Sequence, residues 1–161
     1  MPAAAISAFP AAAPARSEAD YARYVGDREY VSVVFGQSYA VMRHAKAAVV
    51  NSGTASLECA LIGTPQVVAY KGAEINFLIA KSIIKIRYIS LGNLILDRIC
   101  FRELLQYYFT PGNVLNEVRR MIEDEDYRSD MLAGYQEIRD ALGGEGASAA
   151  VARAMIEELR K

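Results

Sequence analysis

The sequence predicts an α/β fold in which helices cover a parallel sheet and a helical C-terminal part follows. Three observations carry this prediction. Short runs rich in Val and Ile alternate with helix-like segments through the middle of the chain. These runs are apolar throughout, which is typical of parallel strands buried on both faces. The last third instead contains helix start and stop signals.

Strand-like runs and the helices between them define the α/β part. Strands are predicted at 31–35, 46–51, 66–70 and 87–91. Helices are predicted at 38–45, 54–62 and 74–86. The second of these helices ends at Gly63, with Pro65 beyond it. The dipeptide Gly92-Asn93 is predicted to form a loop after the last strand.

Capping residues predict the helices of the C-terminal third. Thr110 is a suitable N-cap and Pro111 a suitable first helical residue. The sequence GGEG at 143–146 then interrupts the helical pattern. The three helices are predicted at 111–122, 126–142 and 147–159.

Composition and charge indicate a globular protein of one domain. A chain of 161 residues can bury about 70% of its unfolded surface on folding. Hydrophobic residues make up 53% and charged residues 23%, whereas disordered chains are poorer in apolar residues. The net charge of -1 argues against a protein that binds nucleic acid by bulk electrostatics, so no nucleic-acid partner is expected. No apolar run approaches the length of a membrane span.

Cysteine, histidine and the N-terminal composition set further expectations. Cys59 and Cys100 lie in apolar surroundings without metal-ligand spacing, so we expect reduced core thiols. His44 is the single histidine, which excludes a His-rich metal centre. Residues 1–30 are interpreted as a loose or truncated leader, because the Ala/Pro-rich start lacks the basic segment of a signal peptide. The folded domain is predicted at 31–161, with a helical tail from about residue 110.

The segment NSGTASLE, from Asn51 to Glu58, is the main candidate functional site. It begins at the carboxyl end of a predicted parallel strand, where ligands of open α/β sheets bind. Free N–H groups and the helix dipole favour an anion there. Ser52 and Thr54 add hydroxyl groups, and Gly53 allows the backbone to approach a phosphate closely. Glu58 lies one turn after Thr54, where its carboxylate can accept hydrogen bonds from a ribose diol.

An ordinary helix start explains the same spacing. In that interpretation Ser52 or Thr54 only caps the helix, and Glu58 is a solvated acid of the first turns. The spacing alone favours the cap over the ligand site.

Polar residues after other predicted strands extend the candidate site. Asn93 follows the fourth strand, where its amide can contact a base, a phosphate or a sugar, although a simple turn residue explains it equally well. Gln37 and Tyr39 follow the first strand and can flank a uracil or a diphosphate, but Tyr39 fits the core of a helix better. Lys71 and Lys81 can contact phosphate, although lysines in such places are more often solvated.

Three motifs together carry a family resemblance. They are SGTASLE at 52–58, AY at 69–70 after the next strand, and YISLGN at 88–93. From about Val33 to the C-terminus the sequence resembles the C-terminal half of the bacterial lipid-A-disaccharide synthase family, including its helical tail. The resemblance implies the C-terminal, Rossmann-like domain of a GT-B glycosyltransferase, with a parallel sheet and flanking helices.

The resemblance also implies a reaction and a binding site. The family transfers 2,3-diacylglucosamine from its UDP conjugate to 2,3-diacylglucosamine 1-phosphate and releases UDP. The reaction is inverting and needs neither a bound metal nor a cofactor. The implied UDP-binding residues are Ser52, Gly53, Thr54, Glu58, Asn93 and Gln37. The first three would hold the diphosphate, Glu58 would hold the ribose, and the last two would complete the pocket.

The partners implied by the resemblance are the UDP-linked donor and a lipid acceptor. In the family, the acceptor site and the presumed general base belong to an N-terminal domain that this sequence lacks. We therefore expect no catalytic residue in this chain, weak UDP binding and no turnover. Some family members exchange their C-terminal helices between two subunits, so a homodimer of this kind is a further expectation. The full enzyme is implied to be cytoplasmic and peripheral to the inner membrane.

Two other functions stay open at this point. Another GT-B enzyme, such as a UDP-sugar epimerase, would place a similar helix start and ribose-binding Glu on its C-terminal domain. A non-catalytic remnant or interaction module would leave the nucleotide site empty.

Overall fold

The computed structural model describes residues 7–51, 53–72, 87–143 and 147–160. The chain forms two compact units, Met1–Ala45 and Lys46–Lys161. The predicted helix at 74–86 lies outside the described residues.

The first unit contains helices α1 (Glu18–Val25) and α2 (Ser38–His44). The second helix confirms the prediction. The first lies within the stretch interpreted as a loose leader, and its start is fixed by Asp20, whose carboxylate accepts the Ser17 N–H at 2.9 Å.

The strand predicted at 31–35 is wrong, because this segment forms only isolated parallel bridges. Ala8 and Ala12 donate their N–H groups to the carbonyls of Tyr30 and Val34, each at 2.8 Å. Pro10 lies between these two donors and has no N–H to give. The ladder is therefore interrupted at its middle position, and no continuous strand forms.

The second unit is an α/β fold whose elements follow one another in a regular order. They are β1 (Ala48–Asn51), α3 (Thr54–Ile62), β2 (Gln66–Tyr70), α4 (Leu91–Leu96), β3 (Glu103–Leu105), a 3₁₀ turn (Gln106–Tyr108), α5 (Pro111–Glu123), α6 (Glu125–Leu142) and α7 (Ala147–Leu159). In the described residues, the strands form a parallel sheet in the order β1-β2-β3. The predicted parallel α/β fold with flanking helices is thus confirmed.

The third strand of the sheet is not where the sequence predicted it. Residues 87–90 are irregular and α4 begins at Leu91, so the strand at 87–91 and the loop at Gly92-Asn93 are both wrong. The N–H groups of Ile89 and Ser90 donate to the side chain of Glu103, at 2.9 and 3.0 Å, instead of to a strand carbonyl. The strand itself is Glu103–Leu105, which is too short and too poor in β-branched residues to be recognised.

The helices of the C-terminal part confirm the predictions to within one residue. The Thr110 hydroxyl accepts the Asn113 N–H at 3.2 Å at the start of α5, which ends at Glu123. Asp124 caps α6 by accepting the Tyr127 N–H at 2.9 Å. Within the described ranges, no helix has both the length and the apolar character to cross a membrane.

The core lies between the sheet and the helices α3, α4, α5 and α6. Its largest fully buried side chains are Tyr135, Phe101, Leu104, Met121, Met131 and Ile138. The rings of Phe101 and Tyr135 meet edge to face at 6.0 Å, an arrangement that aromatic quadrupoles favour. Cys59 and Cys100 are free and buried, as expected for core thiols.

Candidate functional site

The turn between β1 and α3 places a glycine, which has no side chain to cap the helix, at the N-cap of α3. Gly53 occupies the N-cap position with φ 145° and ψ -162°, a conformation that requires glycine. Thr54 is the first helical residue, so the interpretation of Thr54 as the cap is wrong. Ser52 lies outside the described residues. The first turn of α3 therefore presents backbone N–H groups that can receive an anion.

Glu58 lies one turn further along α3, on the same face as Thr54. Its side chain is half-buried, whereas Gly53 and Thr54 are exposed. Among the described residues, the Glu58 carboxylate has no hydrogen-bond or ion-pair partner. A carboxylate in this state can accept two hydrogen bonds from a ligand with a vicinal diol.

The rest of α3 is held firmly against the sheet and α6. The Gln66 side chain donates to the Ser56 carbonyl at 2.8 Å, and the Ser56 hydroxyl donates to the Gly53 carbonyl at 2.8 Å. At the other end, the Arg139 guanidinium donates to the Leu61 carbonyl at 2.6 Å. The helix position is therefore fixed by contacts that leave its first turn facing the carboxyl edge of the sheet.

Asn93 is fully buried on α4, and all four of its side-chain hydrogen-bonding positions have protein partners. Its oxygen accepts the N–H groups of Cys100 and Phe101 at 2.8 and 3.3 Å. Its nitrogen donates to the Phe101 carbonyl and to Glu103, both at 2.9 Å. Because an amide offers two acceptor and two donor positions, no position remains for a ligand in this arrangement. Its role toward UDP stays a prediction.

Gln37 belongs to the first unit, whereas the other predicted site residues belong to the second. Its side chain is exposed at the N-terminal end of α2. Tyr39 on the same helix is 62% exposed, so its interpretation as a core residue is wrong.

Sequence reasoning missed a cleft at the same edge of the sheet. The cleft has a volume of about 230 Å³ and is lined by Lys71, Gln106, Tyr107, Phe109 and Thr110. Lys71 directly follows β2, and Gln106 directly follows β3. Recognising ELL as a strand would have placed Gln106 at a carboxyl end, where ligand-binding residues concentrate.

Gln106 combines two unfavourable features. Its φ of 49° is left-handed, which L-residues other than Asn and Asp rarely adopt. The residue is only 6% exposed, and its amide nitrogen has no hydrogen-bond partner among the described residues. Within the same part of the chain, no group of three or more His, Cys, Asp or Glu residues is arranged to hold a metal ion.

Comparisons with known proteins place the chain in a family. The model of the family "Lipid-A-disaccharide synthetase" matches residues 10–155. A lipid-A-disaccharide synthase of Acidobacterium capsulatum is 36% identical over 72% of the chain and 29% of the relative. The enzyme of Myxococcus xanthus is 36% identical over 85% of the chain and 36% of the relative. The chain belongs to the lipid-A-disaccharide synthetase family, and it spans about a third of the length of these relatives.

Proposed function

Starting from this family membership, we propose that the chain binds the UDP part of a nucleotide sugar at the segment from Ser52 to Glu58. One observation carries the proposal: a helix start with glycine at its N-cap lies at the carboxyl end of a parallel strand, and one turn along that helix is a carboxylate without a partner among the described residues. The diphosphate would accept hydrogen bonds from the first turn of α3 and from the hydroxyls of Ser52 and Thr54. The Glu58 carboxylate would accept the ribose hydroxyls.

Charge supports this orientation of UDP along α3. The helix N-terminus carries a partial positive charge, which favours the diphosphate there. The Glu58 carboxylate repels phosphate but binds neutral hydroxyls, so it favours the ribose one turn further along. Gln37 and Asn93 are proposed to complete the pocket. For Asn93 this role is indirect, since its amide holds α4 against β3.

The reaction that we propose is the transfer of 2,3-diacylglucosamine from its UDP conjugate to 2,3-diacylglucosamine 1-phosphate. A general base would deprotonate the acceptor hydroxyl. The helix start at Gly53 would stabilise the negative charge that develops on the departing UDP. The proposal includes a lipid acceptor, a homodimer formed by exchange of C-terminal helices, and a cytoplasmic enzyme at the membrane surface.

UDP titration of three forms of the chain by calorimetry tests the site. The forms are the wild type, Glu58→Ala, and a control, Glu157→Ala, which removes an exposed carboxylate from α7. Because hydrogen bonds to a charged group contribute about 1.5–3 kcal/mol, Glu58→Ala should weaken UDP binding by about 10- to 100-fold. The wild type should prefer UDP to 2′-deoxy-UDP, and Glu58→Ala should lose this preference. Both variants should unfold like the wild type.

Two results would contradict the proposal. Unchanged UDP affinity in Glu58→Ala would remove the ribose role. Absence of binding at millimolar UDP by a folded sample would indicate a non-catalytic module.

A further inference from the structure

The geometry points to a sugar-binding subsite in the cleft at the carboxyl ends of β2 and β3, with Gln106 as its central hydrogen-bond donor. The occupant is the hexosamine part of the nucleotide sugar. This inference rests on the proposed function, because that function places the nucleotide at the neighbouring end of β1.

The state of Gln106 is the first argument. A buried amide nitrogen without an acceptor is destabilising, and native structures contain few such groups. The left-handed backbone of the same residue is a further source of strain. Such features persist where the surrounding structure imposes them, and they are concentrated at ligand sites. An acceptor oxygen supplied by a ligand would satisfy the amide nitrogen.

A comparison with Gln66 shows why the position of Gln106 in the cleft matters. Among the described residues, the oxygen of Gln66 is also buried without a hydrogen-bond partner. The Gln66 side chain, however, lies in the core, where its nitrogen bonds to the Ser56 carbonyl at 2.8 Å. Gln66 does not line the cleft, whereas Gln106 does.

The other cleft residues fit a sugar. The Lys71 ammonium and the Gln106 amide are donors, and none of the described residues that line the cleft carries a carboxylate. The Thr110 hydroxyl oxygen accepts the Asn113 N–H, and its own O–H can donate to another acceptor. Tyr107 and Phe109 supply aromatic surface on which the C–H face of a sugar ring can pack. Donors beside aromatic rings suit a ring that carries hydroxyl and acyl oxygens.

The position and size of the cleft select the sugar over the nucleoside. Neighbouring strands are about 4.8 Å apart, so β2 and β3 end about 5–10 Å along the edge from β1. A sugar joined to the second phosphate of UDP extends over this distance. Drug-sized ligands occupy sites of about 300 Å³ or more, whereas this cleft has a volume of about 230 Å³, suited to a single ring.

The test compares UDP with UDP-N-acetylglucosamine by calorimetry in wild type and Gln106→Leu. The wild type should bind the sugar nucleotide about three- to tenfold more tightly than UDP, as expected for one or two added hydrogen bonds. Gln106→Leu should lose that difference and keep its UDP affinity. The variant should unfold at or above the wild-type temperature, because leucine removes a buried amide nitrogen that has no partner among the described residues. Gln136→Leu, on the exposed face of α6, is the matched control and should behave like the wild type.

A second measurement does not depend on UDP. In ¹⁵N-labelled protein, the side-chain amide signal of Gln106 is identified by its absence in Gln106→Leu. It should shift on addition of UDP-N-acetylglucosamine and of N-acetylglucosamine 1-phosphate. Lys71→Met, a change at an exposed residue, should weaken binding of the sugar phosphate.

The outcomes separate this inference from the proposed function. An unchanged ratio of sugar-nucleotide to UDP affinity in Gln106→Leu would overturn the sugar subsite while UDP binding stands. A shift with the free sugar phosphate but not with UDP-N-acetylglucosamine would overturn the assignment to the donor. If the wild type does not bind UDP, the proposed function is contradicted. The shift of the Gln106 signal with N-acetylglucosamine 1-phosphate then tests by itself whether the cleft binds a sugar.

Discussion

Replacing Asn93 tests whether this residue serves the fold or the ligand. In Asn93→Ala, the N–H groups of Cys100 and Phe101 lose their acceptor, and Glu103 loses one of its donors. Each buried amide left unsatisfied costs about 1–3 kcal/mol, so the two amides together cost about 2–6 kcal/mol. This is a large part of the 5–15 kcal/mol that stabilises a typical domain. Asn93→Ala should therefore be one of the most destabilising substitutions in the second unit.

Urea unfolding followed by far-UV circular dichroism measures this loss, since the chain contains no tryptophan for fluorescence. With a slope of about 2 kcal/mol per molar urea, a loss of about 2–6 kcal/mol should lower the midpoint by about 1–3 M. Asn116→Ala is the control, because Asn116 is exposed on α5. The urea midpoint of this variant should equal that of the wild type. A wild-type midpoint for Asn93→Ala would refute the structural role. If such a stable variant also lost UDP affinity, Asn93 would contact the ligand directly.

Asn93→Asp adds a pH-dependent version of the same test. It keeps an acceptor for the two amides but places a second carboxyl group 2.9 Å from an oxygen of Glu103. Two neighbouring carboxylates cannot both ionise without repulsion, so one pKa must rise in the folded state. A raised folded-state pKa stabilises the fold at low pH, and this contribution is lost as the pH rises. The deficit relative to wild type should be small in acid and grow above about pH 4.

Further predictions concern the core. Gly134→Ala should destabilise the chain by about 1–3 kcal/mol in urea unfolding, because the added Cβ would lie 2.4 Å from the Cys100 sulfur. The same substitution should cost less in a Cys100→Ala variant, which lacks that sulfur. An equal cost in the wild type and in Cys100→Ala would refute the contact. Burial raises the pKa of Cys59 to about 12 and that of Cys100 to about 11, so both native thiols stay protonated at pH 8. They should react with a disulfide reagent at least about a hundredfold more slowly than in urea, and rapid labelling of the native chain would contradict their burial.

The sequence predicted those parts of the fold that depend on local signals. Thr110 followed by Pro111 is a strong helix start, and Gly63 is a strong helix end, so the bounds of these helices were predictable. The helix and strand on either side of Gly63 have strong local patterns as well. For such elements, the period of the apolar residues and the capping residues predict the same bounds.

The errors arose where long-range contacts decide the structure. The segment at 87–91 has the composition of a strand, but Glu103 takes its N–H groups and holds it outside the sheet. The strand at 31–35 depends on its pairing partner, and the missing N–H of Pro10 breaks that pairing. Neither effect is visible in a window of a few residues.

In the candidate site, too, only the residues that are close in sequence could be predicted together. Gly53, Thr54 and Glu58 are close in sequence, so their spacing on one helix was predictable from helix geometry. Lys71 and Gln106 are 35 positions apart and meet only because β2 and β3 pair in parallel. The burial of Asn93 likewise depends on the return of the chain at residues 100–103.

The carboxylate of Glu103 has a consequence for ligand affinity. It receives hydrogen bonds from Ile89, Ser90 and Asn93, and thus joins the start of α4 to the strand that ends just before Gln106. The end of β3 that carries Gln106 is therefore held in place before any ligand arrives. The entropy cost of ordering this segment is met on folding, so that cost does not weaken ligand binding. A ligand in the cleft can therefore bind through few contacts and still be held selectively.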